Sequence, residues 1–154
     1  MDISNILTED CTKRAVLLHS KKRVLEYISQ LFSHHCNSLL AEDILKNIQA
    51  REILGSTGIG HGIAIPHCRL PNIQDVHGVL IVTEQAIDFD AIDNRPVDIF
   101  FALLLPEEDD NQHLTTLSSI AKLLGNKKLC RAIRHASSDL NIYETILGHE
   151  LNHH

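Results

Sequence analysis

Val97-Asp98-Ile99-Phe100-Phe101-Ala102-Leu103-Leu104-Leu105, closed by Pro106, is the stretch whose reading decides the fold. From Ile99 onward it shows no apolar/polar alternation, so it reads as a strand covered on both faces. It is the longest apolar run in the chain and far too short to cross a bilayer. A strand buried on both faces needs other elements above and below it, and the flanking sequence offers them. Val79 to Val82 is a second buried strand. Asn111 to Leu124 reads as a helix, with Leu114, Leu117, Ile120, Ala121 and Leu124 inward and Gly125 as its stop. An acidic loop, Glu107 to Asp110, lies between strand and helix.

Upstream, Ser20 to His34 has a capping serine and an apolar stripe of Val24, Leu25, Ile28, Leu31 and Phe32. A second helix is expected from about Ser38 to Arg51 or Glu52, with Leu40, Ile44, Leu45 and Ile48 buried. Downstream, two short helices are expected at Lys128 to His135 and Ser138 to Leu147. Helices before, between and after central strands imply an α/β fold: one layered domain over residues 1–150, with a mixed β-sheet flanked by helices.

The composition narrows function. The 154 residues carry a net charge of −6, from 14 basic and 20 acidic side chains. That argues against a broad nucleic-acid surface, which needs a basic face. The N-terminus reads as neither signal peptide nor membrane anchor, since Asp2, Glu9, Asp10, Lys13 and Arg14 break its apolar stretches. Cys11, Cys36, Cys68 and Cys130 form no CxxC pair and read as reduced thiols of a cytoplasmic protein. With 11 histidines in the chain, no histidine is special by type alone. The last two, His153 and His154, receive no function.

Chemistry concentrates in Gly58-Ile-Gly-His-Gly-Ile-Ala-Ile-Pro-His67. Glycines let the backbone approach closely, and Pro66 fixes its own φ and biases Ile65 to an extended conformation. His67 thus leaves a strand-like segment at a restrained angle, as a histidine nucleophile requires. On the local pattern alone, an ordinary surface histidine after a proline turn is the better reading. No Gly-Lys-Ser/Thr follows, so the run is not a P-loop. His113, in the first turn of its helix and in phase with Leu117, Ile120 and Leu124, is placed to lean inward beside an anion-favouring helix start. It also fits as a histidine at the core edge. Arg51 ends the second helix, where its fork can hold a phosphate or simply face solvent.

Taken together, these segments resemble the mannitol/fructose-type enzyme IIA domains of the phosphotransferase system. The resemblance rests on Leu54 to His67, Arg51 just upstream, Ile87 to Asp98 with the strand to Pro106, Gln112-His113-Leu114, and Ser20 to Glu26. It spans roughly Ile3 to Leu147 and is nearest to the nitrogen-regulatory branch, free-standing IIA proteins without IIB or IIC domains. It implies that His67 accepts a phosphoryl group on Nε2 from a histidine-phosphocarrier protein. It further implies that His113 and Arg51 hold the transferred group and that no cofactor or metal takes part. Phosphorylation-dependent binding of regulatory targets, such as potassium-transport components or sensor kinases, would follow. The rivals are a sugar-specific IIA component that passes phosphate to a IIB partner and a binding module merely switched by phosphorylation. A third is a zinc site from His61, His67, Cys68 and His77.

Overall fold

The computed structural model describes residues 2–108 and 111–151, the side chains of 111–114 and 150–151 excepted. In chain order the elements are β1 (Thr12–Val16), α1 (Lys21–His35), α2 (Ala41–Leu54), β2 (Gly58–Gly60), β3 (Ile63–Ala64) and β4 (His67–Leu70). Then follow β5 (His77–Ile87), β6 (Val97–Pro106), α3 (Asn111–Leu124), α4 (Lys127–Arg134) and α5 (Asp139–Leu151). The sheet is mixed, with β1 parallel to β5, β5 antiparallel to β6, and β3 and β4 both parallel to β6.

β6 is the hub. Ile99 to Leu105 is buried throughout, as an apolar run without alternation requires. One edge pairs with β5; the other pairs first with β3, at Ile99 and Phe100, and then with β4, from Leu103 to Pro106. Residues 63–70 therefore run beside β6 in two stretches, interrupted at Ile65-Pro66. The interruption costs little backbone pairing. Leu103 N–H donates to the Pro66 carbonyl at 2.9 Å, and Ile65 N–H turns away to the Thr57 carbonyl at 3.0 Å. Proline has no N–H to lose at such a break.

The α1 cap is as expected: Ser20 accepts from Arg23 N–H at 3.2 Å, and Val24, Leu25, Ile28 and Phe32 are buried. The second helix departs from expectation at both ends. It starts at Ala41, because Leu40 is an extended N-cap residue whose carbonyl accepts from Asp43 and Ile44 N–H. Leu40 is 58% exposed rather than part of the buried face. Glu42 and Asp43 occupy the first turn, where the helix dipole favours acids. At the other end α2 runs past Glu52 to Leu54, although Ile53 and Leu54 bury nothing, and stops at Gly55. Strands β1 and β4 escape sequence reading. Lys13 and Arg14 interrupt the first, and the second follows a proline. The expected α3, α4 and α5 are present, α5 extending to Leu151. No helix of the described residues is long and apolar enough to cross a membrane.

Candidate functional site

A two-residue hairpin turn joins β2 to β3. Gly60 pairs with Ile63, and the residues between them, His61 and Gly62, have φ of 59° and 80°. Positive φ at both central positions is what a type I′ turn demands. The His61 backbone is committed to this turn. Its N–H donates to Asp93 Oδ2 at 2.9 Å, and its carbonyl accepts from Arg134 Nη2 at 3.0 Å. Its side chain is exposed.

From the hairpin the chain passes through Ile65-Pro66 to His67, the first residue of β4. The imidazole Nδ1 lies 2.8 Å from the Ile65 carbonyl oxygen, two residues back. A carbonyl only accepts, so Nδ1 carries the proton and Nε2 carries the lone pair. Burial lowers the pKa of His67 below its ordinary value of 6.5; the Ile65 bond opposes this, and the Arg51 and Arg69 cations reinforce it. The neutral, Nδ1-protonated ring is thereby the favoured form.

His67 lines a cleft of about 340 Å³ together with Arg51 and Leu54 of α2, Arg69 of β4 and Leu117 of α3. Arg51 is fixed from behind, its Nη1 donating to the Gly55 carbonyl at 2.8 Å just beyond the end of α2. Arg69 is a residue that the sequence reading missed. It is two positions from His67 on the same strand, so both point to the same face. The signal was present in the spacing, but only knowledge that residues 67–70 are a strand gives it meaning. The side chain of His113 lies outside the described residues. Leu117, four positions along α3, lines the cleft. Arg51 and His67 are thus brought together, with a second guanidinium beside them.

A buried polar clamp holds the glycine run. Glu52 is 8% exposed, at the inner face of α2. It accepts from Thr57 N–H and from the Thr57 hydroxyl, and Lys21 Nζ of α1 lies 2.9 Å from its Oε1. The ammonium also sits 4.5 Å from the centroid of the Phe89 ring. Thr57 is the residue whose carbonyl binds Ile65 N–H, and the Ile65 carbonyl binds His67. A chain of bonds therefore runs from Lys21 through Glu52, Thr57 and Ile65 to the imidazole.

Gly58 and Gly60 are buried; a Cβ on Gly58 would meet Ala91 Cβ at 2.8 Å. Of the exposed large apolar side chains, Leu54 at the end of α2 lines the cleft and Ile53 precedes it on the helix. Cys68 is buried in an apolar setting that pushes its thiol up to about 12, which leaves it inert. All four cysteines are free. The zinc set of His61, His67, Cys68 and His77 is not assembled: His67 and Cys68 are successive residues of β4 and face opposite sides, His61 sits in the turn between β2 and β3, and His77 opens β5. Among the described residues, the one clustered set of potential metal ligands is His35, Cys36 and His77.

Comparison with known proteins agrees on the kind of molecule. Residues 5–148 match the family described as phosphoenolpyruvate-dependent sugar phosphotransferase system, EIIA 2. A nitrogen regulatory protein of Klebsiella oxytoca is 46% identical over 147 residues, covering 95% of this chain and 90% of the relative. The crystal structure of nitrogen regulatory protein IIA-Ntr from Neisseria meningitidis superposes with a TM-score of 0.85 at 34% identity. That match covers 94% of this chain and 98% of the other. Mannitol IIA of Escherichia coli shares the fold, with a TM-score of 0.70 at 15% identity over 95% of this chain and 98% of that one.

Proposed function

The chain belongs to the EIIA 2 family of the phosphoenolpyruvate-dependent sugar phosphotransferase system, and from that premise we propose that residues 1–150 act as one IIA domain whose His67 accepts a phosphoryl group on Nε2. The donor is a phosphohistidine on a histidine-phosphocarrier protein. In the transfer the Nε2 lone pair forms the new N–P bond while the donor's N–P bond breaks, its electron pair returning to the donor imidazole. No oxidation, leaving water or cofactor is needed.

The observation that carries this reading is the Nδ1–H bond of His67 to the Ile65 carbonyl. It assigns the lone pair to Nε2 and keeps the ring from rotating as phosphorus approaches. Transfer of this kind rests largely on position and charge stabilisation. The Arg51 fork supplies positive charge in the cleft, with Arg69 beside it and His113 as a further donor. In a chain of net charge −6, such local cations offset the repulsion of an incoming phosphoryl group.

The exposed Leu54, which lines the cleft beside Arg51 and His67, and the exposed Ile53 before it suit contact with a protein donor, because apolar side chains beside a polar centre bury without unpaired charge. The relatives named as nitrogen regulatory proteins support regulation as the output. On this reading the unphosphorylated form binds regulatory targets, such as potassium-transport components or sensor kinases. Phosphorylation adds a charge of about −1.5 to −2 where the target docks.

The test is incubation with phosphoenolpyruvate, the first enzyme of the cascade and the carrier, followed by mapping of the modified residue. One acid-labile, alkali-stable phosphoramidate on His67 is expected. Normal acceptance by His67→Ala would overturn the assignment.

A further inference from the structure

Away from the His67 cleft, α1 ends in His34-His35 and the chain turns at Cys36. That turn is fixed by backbone bonds: Cys36 N–H donates to the Phe32 carbonyl at 2.7 Å, and Leu39 N–H donates to the Cys36 carbonyl at 2.9 Å. Across from it stands His77, the first residue of β5, held in register opposite Leu104 of β6. The His35 and His77 rings meet edge to face, with centroids 6.1 Å apart. One ligand atom from each of His35, Cys36 and His77 lies within 4.8 Å of the other two.

We propose that His35, Cys36 and His77 form a thiolate and bis-imidazole site for a transition-metal ion of the Zn²⁺ class, distinct from the phosphoryl site. The ligand types are those zinc prefers. Bond lengths of roughly 2.0–2.3 Å in a tetrahedron separate ligand atoms by about 3.3–3.6 Å. Closing from 4.8 Å or less therefore takes a shift of about an ångström, which side-chain rotation supplies without backbone movement. His35 is exposed, so an ion has a way in, and Cys36 and His77 are half-buried on ordered backbone. Three protein ligands leave the fourth position for water or a ligand from outside.

Binding exchanges the Cys36 thiol proton for the metal ion, and that proton leaves to solvent. A bound ion would pin the end of α1 to the start of β5, joining a helix of one layer to a central strand.

The full chain carrying His153→Ala and His154→Ala, prepared without an affinity tag, is the protein to test, because terminal histidines would otherwise compete for metal. Titration with Co²⁺ should saturate at one equivalent and produce a thiolate-to-metal charge-transfer band, which Zn²⁺ then erases. Cys36→Ala should abolish the band. His35→Ala, at an exposed position with little risk to folding, should weaken binding on the order of ten-fold or more, since loss of even an outer partner commonly costs that much. His77→Ala should do the same, with circular dichroism confirming the fold. Absence of the band, its persistence in Cys36→Ala, or unchanged affinity in His35→Ala would overturn the site.

Discussion

Lys21→Met is a direct probe of the clamp behind the glycine run. Methionine keeps the unbranched stem and removes the ammonium that lies 2.9 Å from Glu52 Oε1. The Glu52 side chain is only 5% exposed, so its charge is left in a poorly solvated place. Removing one partner of a buried pair costs about 3–5 kcal/mol. Two features put this case near the lower end. Lys21 is itself 23% exposed, so water can reach the vacated position. Glu52 also keeps both bonds from Thr57. The lost contact with the Phe89 ring adds about 0.5–1 kcal/mol. A loss of about 3.5–4 kcal/mol is expected, which for a domain of this size lowers Tm by roughly 7–16 °C.

Urea denaturation and thermal melting measure the loss. Lys21→Met/Glu52→Gln should recover at least about 1 kcal/mol, because the amide removes the unpaired charge while keeping the Thr57 hydroxyl bond. Amide exchange at Ile65 gives a local readout. Its N–H is bonded to the Thr57 carbonyl, so loosening Thr57 should speed its exchange by more than the global loss explains. Stability within about 0.5 kcal/mol of the parent, or a double variant no better than Lys21→Met, would refute the account of Glu52 as a charge held by Lys21.

Arg51→Ala should slow phosphoryl acceptance by on the order of 10²-fold, the usual cost of one donor to a developing anion, and Arg51→Lys should restore only part of it in a rapid-quench assay. Because burial holds the His67 pKa below 6.5, its imidazole stays neutral at mildly acidic pH, so the acidic limb of the acceptance profile should fall below that value. The linked stability is fully present above the unfolded-state pKa and is lost as pH falls through the lower folded-state pKa; NMR titration of the ring protons checks both statements. Gly58→Ala should cost about 1–3 kcal/mol by equilibrium unfolding, since its Cβ would overlap Ala91 Cβ at 2.8 Å and Cα at 2.9 Å and force apart two backbone segments.

How much of this was legible in sequence follows from the range of each interaction. β6 announces itself because burial on both faces leaves an unbroken apolar run, and α1 because a cap and a stripe lie within its own length. β1 does not: its Lys13 is half-buried and its Arg14 exposed at a sheet edge, and only pairing with β5, far along the chain, makes it a strand. The end of α2 fails for the opposite reason, since Ile53 and Leu54 continue the helix without burying an apolar face.

The site divides in the same way. What readies His67 is local: Pro66 precedes it, and its Nδ1 partner is two residues back, so a restrained imidazole could be expected from the sequence. What surrounds His67 is not local. Arg69 joins the cleft because β4 pairs with β6, and Glu52 steadies Thr57 because Lys21 reaches it from another helix. A substitution at Lys21 can therefore disturb the histidine without touching it. The path runs through the long-range partnerships that motif reading overlooks, and the exchange rate at Ile65 measures how far along it the disturbance travels.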